Sequence, residues 1–334
     1  MEVIVLADDL TGALEAGAQF AGAGASAVVL TKDLPKLDAP VVIIDTETRH
    51  LAPSEAARRV FRHALWAKDA GVSLVYKKTD STLRGNIGAE LGALLGAFPG
   101  RRLTYAPAYP RLGRTVVHGR LLLDGLPVEQ TLFARDPIDP VTESNIEVVL
   151  VRQGAPLGSI DVLDGDTDED VERAARFVLD MAPPALAAGP AALAGVLAAR
   201  MVLPRAGVRP WPVVTQCLVI NGSAHPISAA QIRRARAQGL LSGDWRSCEL
   251  SDALEQLKQA PNLIVFGGDT ARMVLKRLGD PPLYPIGEIL PGVAVSTFYL
   301  GEVEHCLISK AGGYGDVDLL SQLKQKLEAG RSME

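Results

Sequence analysis

Val3-Ile4-Val5-Leu6-Ala7-Asp8-Asp9-Leu10-Thr11-Gly12-Ala13 reads as a strand, an acidic turn and the opening of a helix. The unbroken apolar run Val3–Leu6 suits a strand buried on both faces, and helical spacing follows over Leu10–Gly22. Outward from this unit the same alternation recurs. Further strand candidates are Ala27–Leu30, Val41–Ile44, Leu74–Lys77, Leu103–Ala106 and Ala185–Ala188, then Val213–Ile220, Leu263–Phe266 and Cys306–Ser309. Helical spacing marks Pro53–Ala70, Asn86–Phe98, Asp168–Met181, Ile227–Gln238 and Thr270–Leu278. Strands alternating with helices predict an α/β fold built on largely parallel sheets flanked by helices. The segment Leu203–Pro212 gathers Pro204, Pro210 and Pro212 around Gly207. Proline cannot donate to a ladder, so this segment reads as a linker between two domains, residues 1–205 and 206–334.

Composition narrows the classes. With 48% hydrophobic and 22% charged residues over 334 positions, the chain is globular and long enough for two cores. A net charge of −5 without a basic stripe argues against nucleic acid as a partner. Cys217, Cys248 and Cys306 are widely spaced and form no CxxC pair, which fits a reducing cytoplasm better than a disulfide framework or a zinc site. No secretory pattern precedes Val3. Met181–Ala199 lacks charge, yet it carries Pro183, Pro184 and Pro190 and is mostly Ala and Gly. A buried strand followed by a helix explains it better than a membrane span.

Three polar segments follow strands in the first half, where α/β proteins place their ligands. In Asp8-Asp9, one carboxylate can cap the helix and the other can act as general base or metal ligand; the plainer alternative is that both cap. Lys78-Thr79-Asp80-Ser81-Thr82-Leu83-Arg84-Gly85-Asn86 is dense in donors. Arg84 offers a planar fork for a carboxylate, Lys78 a point charge, and Ser81, Thr82 and Asn86 can bond hydroxyls or cap the next helix. The stretch Ala106–Thr115, with Arg114 and then His118, leads to Asp136-Pro137-Ile138-Asp139-Pro140-Val141-Thr142 through long, irregular connections.

The second half carries three glycine loops. They are Asn221-Gly222-Ser223-Ala224-His225-Pro226, Gly267-Gly268-Asp269-Thr270 and Ser309-Lys310-Ala311-Gly312-Gly313-Tyr314-Gly315-Asp316. Glycine lets backbone amides approach a phosphate, and a helix N-terminus adds partial positive charge. Neither GxxxxGK[ST] nor GxGxxG occurs, so these are not the P-loop or dinucleotide fingerprints.

Together these motifs resemble the four-carbon acid sugar kinase family. The resemblance is carried by Ala7–Ala13, Lys78–Asn86, Ala106–Thr115, Asp136–Thr142, Gly267–Thr270 and Ala311–Gly315, from one end of the chain to the other. It implies an acid-sugar-binding domain, a nucleotide-binding domain and an active-site cleft between them. It implies ATP and Mg2+ as cofactors and phosphorylation of the terminal hydroxyl of a threonate, erythronate or 2-oxo-tetronate. By position, Asp8, Asp9, Lys78, Asp80, Ser81 and Arg84 would meet the sugar acid, with Arg114 placed to approach it. Ser223, Gly267, Gly268, Asp269, Thr270 and Gly312 or Gly313 would meet ATP. Arg84 and Lys78 would clamp the carboxylate, Asp8 or Asp9 would accept the hydroxyl proton, and Asp269 is the candidate magnesium ligand. The chain departs from the family in two ways. Asn221-Gly222-Ser223-Ala224 replaces a Ser-Gly-Ser loop followed by Cys, and only 44 positions separate Ser223 from Gly267, fewer than the family has. The alternative is therefore a non-catalytic sensor of a sugar acid or nucleotide. The apolar content also permits a homodimer.

Overall fold

The computed structural model describes residues 1–32, 39–223, 225–248, 250–251, 256, 262–311 and 313–329. The chain packs as two compact units, Met1–Ala16 with Leu37–Pro204 and Gly17–Lys36 with Arg205–Glu334. The elements run β1 (Val3–Ala7), α1 (Leu10–Gly22), β2 (Ala27–Leu30), β3 (Val41–Asp45), α2 (Pro53–Asp69), β4 (Leu74–Lys78), α3 (Ile87–Ala97) and β5 (Leu103–Tyr105). Next come β6 (Arg114–Val117), β7 (Arg120–Leu123), β8 (Leu126–Pro127), α4 (Ile146–Arg152), β9 (Ile160–Val162), α5 (Asp168–Leu179), β10 (Ala185–Gly189) and α6 (Ala191–Arg200). The remainder are β11 (Cys217–Asn221), α7 (Pro226–Ala237), β12 (Trp245–Cys248), β13 (Asn262–Phe266), α8 (Gly268–Arg277), β14 (Tyr284–Leu290), β15 (Val293–Leu300), β16 (Val303–Lys310) and α9 (Leu319–Ala329).

In the first unit, strands β3, β1, β4, β10, β5 and β9 lie side by side in that order, and each neighbouring pair is parallel. Every residue of β1, β3 and β4 is buried, which matches apolar runs covered on both faces. Ala7 is in register with Asp45 on one side and Lys78 on the other. The turns after β1, β3 and β4 therefore leave from one edge of the sheet. Helix α2 shows how the layer above forms: Ala56, Val60, Ala64 and Ala67 recur at helical spacing and are buried, with Pro53 in its first turn.

The stretch after Ala106 is more regular than its prolines and glycines predict. Strands β6, β7 and β8 form a small antiparallel sheet. Its two turns place His118-Gly119 and Asp124-Gly125 at positive φ, the twist that a two-residue hairpin needs.

The second sheet has the order β12-β11-β13-β16-β15-β14. Its first four strands are parallel, but β15 runs antiparallel to β16 and β14 antiparallel to β15. The sheet is mixed, with the hairpins turning at Gly292 and Gly301, both at positive φ. The predicted strand over Val213–Ile220 shortens to β11, since Val214 donates to the carbonyl of Leu327 instead of joining the sheet. The proline segment is not a free linker: Trp211 packs on the core of this unit, and Arg209 donates to Thr297 and Glu304. A single cut of the chain also misses the excursion Gly17–Lys36. Val29 exchanges backbone hydrogen bonds with Leu283, and Arg272 donates to the carbonyl of Thr31, so this segment belongs with the second unit. Among the described residues, no helix is long and apolar enough to cross a membrane.

Candidate functional site

In the first unit three carboxylates gather on one guanidinium. Arg49, in the turn after β3, donates from Nε to Asp8 Oδ2 at 2.8 Å and from Nη1 to Asp9 Oδ2 at 2.5 Å. Its Nη2 stands 3.6 Å from Asp80 Oδ1. The parallel register of β3, β1 and β4 makes this convergence possible, because it sends the three turns off the same edge. The Arg49 turn is itself fastened from below. Asn86 shows no side-chain cap bond on α3; its Nδ2 reaches the carbonyls of Thr48, Arg49 and Leu51 at 3.0, 3.3 and 2.8 Å. Gly85, at φ +85°, lets the chain pass so closely that a Cβ there would lie 3.1 Å from Arg49 Cγ.

The two aspartates divide the tasks left open by the sequence. Asp9 accepts from the Gly12 amide at 2.8 Å and so caps α1, while its other oxygen takes Arg49; the side chain as a whole stays partly exposed, at 19%. Asp8 is 2% exposed, and its Oδ1 has no hydrogen-bond partner among the described residues. Burial pushes the Asp8 carboxyl up, but Arg49 and Lys77 outweigh it and hold it below the usual carboxylate range. Asp80 also resists burial: Arg84 and then Arg49 hold it well below that range, and Thr82 donates to it from both backbone and hydroxyl.

Arg84 reaches Asp80 through Nε at 3.1 Å and Nη2 at 2.8 Å, while Nη1 meets Asp136 at 3.2 Å. Phe133 lies beneath it, 5.3 Å from the ring centre. Thus oriented and still 26% exposed, Arg84 is the cation of this cluster open to solvent. Lys78 is buried: its ammonium donates to the Thr79 carbonyl at 3.0 Å and stands 3.6 Å from Glu15. The neighbouring Lys77 forms a fully buried pair with Glu90 at 3.0 Å. Ser81 is half-buried, and Arg114 stands on β6, donating to the Leu112 carbonyl.

The second unit has its own convergence. Asn221 is in register with Phe266, and Phe266 with Lys310, so the loops after β11, β13 and β16 leave one sheet edge. A Cβ on Gly222 would fall 1.7 Å from Thr270 Oγ1, and one on Gly267, which has φ +102°, would lie 3.4 Å from the Ser223 amide. Only glycine permits this approach. Helix α8 follows Gly267 as its N-cap, and among the described residues no side chain caps its first amides, which suits an anion there; Asp269 lies in that turn. Lys310 is buried over Phe266, 4.6 Å from the ring centre, and donates to Ser228 and the Tyr314 carbonyl. Burial pushes its ammonium down to about 7. Gly313 abuts His225, whereas Gly312 lies outside the described residues. These features suit nucleotide phosphates. Among the described residues, no group of three or more His, Cys, Asp or Glu is placed to hold a metal ion.

The model of a family described as the sugar-binding N-terminal domain matches residues 3–178, which hold the whole Arg49 cluster. A D-threonate kinase of Salmonella typhimurium is 28% identical over 405 aligned positions, which cover 94% of this chain and 96% of the relative. The chain belongs to the four-carbon acid sugar kinase family. A second member, a D-erythronate kinase of Heliobacterium modesticaldum, is 38% identical over 157 residues, 45% of this chain and 36% of the relative. A crystal structure of a domain of unknown function from Bordetella bronchiseptica, a domain-swapped dimer with bound citrate, is 26% identical. It covers 98% of each chain with a TM-score of 0.55. The alignment with the Salmonella kinase has more positions than this member of the family has residues, so the chain is shorter internally than that relative.

Sequence reasoning missed Arg49, Lys310 and His225. Arg49 belongs to no motif, and its only signal is its place in a turn after a parallel strand that neighbours β1. Lys310 lies within a glycine loop of the sequence, but its burial is a tertiary fact.

Proposed function

We propose that the chain is an ATP-dependent kinase that transfers the γ-phosphoryl group to the terminal hydroxyl of a four-carbon sugar acid. The observation that carries the nucleotide half of this reading is the meeting of three glycine-bearing strand ends at Gly222, Gly267 and Gly313. The acid half rests on the Arg49 cluster within the sugar-binding match, and on relatives named for threonate and erythronate. The citrate bound by the Bordetella relative is a hydroxy acid as well, which supports a hydroxy-carboxylate ligand here.

Phosphoryl transfer asks a protein mainly for positioning and charge neutralisation. In this reading Arg84 and Ser81 meet the substrate carboxylate, which fixes the hydroxyl presented for transfer. Asp9, the more exposed of the pair, accepts the hydroxyl proton, and Asp8 positions Arg49 from behind. Ser223, Gly267, Gly268, Asp269, Thr270 and Gly313 take the nucleotide. Asp269, in the first turn of α8, would help to hold magnesium, which would supply neutralisation of phosphate charge. The protein works in a reducing compartment, where three free cysteines are safe, and a homodimer follows the Bordetella precedent.

The test is ADP release from the purified chain with magnesium, ATP and a panel of threonate, erythronate and 2-oxo-tetronate stereoisomers. Turnover on one of them is expected. Nucleotide binding without turnover on any acid would replace the kinase with a sensor.

A further inference from the structure

His225 stands at the start of α7, directly after the Asn221–Ala224 stretch that departs from the family, and one side of its ring is engaged. Nδ1 accepts the Ile227 amide hydrogen at 3.3 Å and caps the helix. A nitrogen that accepts has no proton, so the neutral ring carries its hydrogen on Nε2. That nitrogen faces the third glycine loop: a Cβ on Gly313 would lie only 3.4 Å from it. The preceding turn is fixed as well, since the His225 amide donates to Ser223 Oγ at 3.2 Å, which leaves the serine hydroxyl hydrogen for a ligand. The ring is half-buried, not sealed off. Burial and then Lys310 lower the imidazole below its ordinary range, so near pH 7 it keeps the neutral form that the cap requires.

We propose that His225 is a nucleotide-contacting residue, whose Nε2 hydrogen is held by the helix cap toward a phosphate of the bound adenine nucleotide. The assignment rests on the kinase reading of the glycine loops. It makes His225 a donor to the bound nucleotide, a role that a merely structural cap would not have.

Two substitutions separate the two ring nitrogens. In His225→Asn the side-chain oxygen replaces Nδ1 as cap acceptor, but nothing reaches the Nε2 position. In His225→Gln a donor reaches the Nε2 position and the cap is lost. Calorimetry with ADP and magnesium is expected to show Kd about tenfold weaker for the Asn variant, equivalent to about 1.4 kcal/mol, with an unchanged melting temperature without nucleotide. The Gln variant is expected to melt earlier and to bind ADP within about threefold of wild type. An Asn variant with wild-type ADP affinity overturns the assignment to His225 and leaves the kinase reading intact. Wild-type protein that binds no ADP overturns both.

Discussion

Replacing Arg49 with alanine tests whether one guanidinium organises the acidic edge of the first sheet. Arg49 is 9% exposed, and its removal strands Asp8, at 2% exposure, without its ion-pair partner. Breaking a buried pair by deleting one member costs roughly 3–5 kcal/mol. The lower end applies here, because Asp80 keeps Arg84 and Asp9 keeps the Gly12 amide. We expect a loss of about 3 kcal/mol at pH 7 in denaturant unfolding, or roughly 6–12 °C in Tm for a unit of this size. The pH dependence sharpens the test. In the wild type Asp8 and Asp80 have depressed values, so their contribution is full above the unfolded carboxylate range and is lost as pH falls through the folded values. Without Arg49 only Lys77 and Lys78 are left to oppose burial at Asp8, so its folded value rises toward or above the unfolded one and less stability is lost as the pH falls. The gap between variant and wild type should therefore narrow as the pH falls into the carboxylate range. Arg49→Lys, which keeps the charge but not the planar fork, should fall between the two. A loss under about 1 kcal/mol, or a gap that does not change with pH, would refute the reasoning.

Asp9→Asn should lower kcat by about 10²–10⁴-fold if the residue accepts the hydroxyl proton, and a wild-type rate would remove it from that role. Ser81→Ala should raise KM for the acid with little change in the melting temperature, since the residue is half-buried and outside the Arg49 bonds; an unchanged KM would exclude it from the substrate. Lys310 titrates near 7 folded and near 10.5 unfolded, so between these values the unfolded chain holds a proton that the native state lacks. Stability should therefore rise with pH from about 7 to about 10 and flatten in Lys310→Met; urea midpoints that climb equally in both proteins would refute this.

Much of the fold is legible in short stretches. Leu10–Gly22 and Ala27–Leu30 fold with the bounds their patterns predict, because an amphipathic stripe or an apolar run needs only its neighbours to be recognised. The hairpin β14–β15 escaped notice because Pro285 and Gly287 interrupt its pattern, and a register shift lies between them. The motifs around Asp8, Asp80 and Gly267 point to two sheet edges by their positions after strands. They do not show which polar atoms are already taken. Lys78 and Arg84 look equally suited to a carboxylate in the sequence, yet one is buried against Glu15 and the other is partly open.

The order of residues by itself settles the alternation of strands and helices, and which polar segments follow strand ends. What the chain could not declare is the partner of each charge. Arg49 lies 41 positions from Asp8, and only the parallel register of β3, β1 and β4 brings its guanidinium to three carboxylates. Propensity acts over a few residues, whereas charge pairing acts through space across neighbouring strands, so the tertiary structure alone decides which groups are held and which are left to meet a ligand.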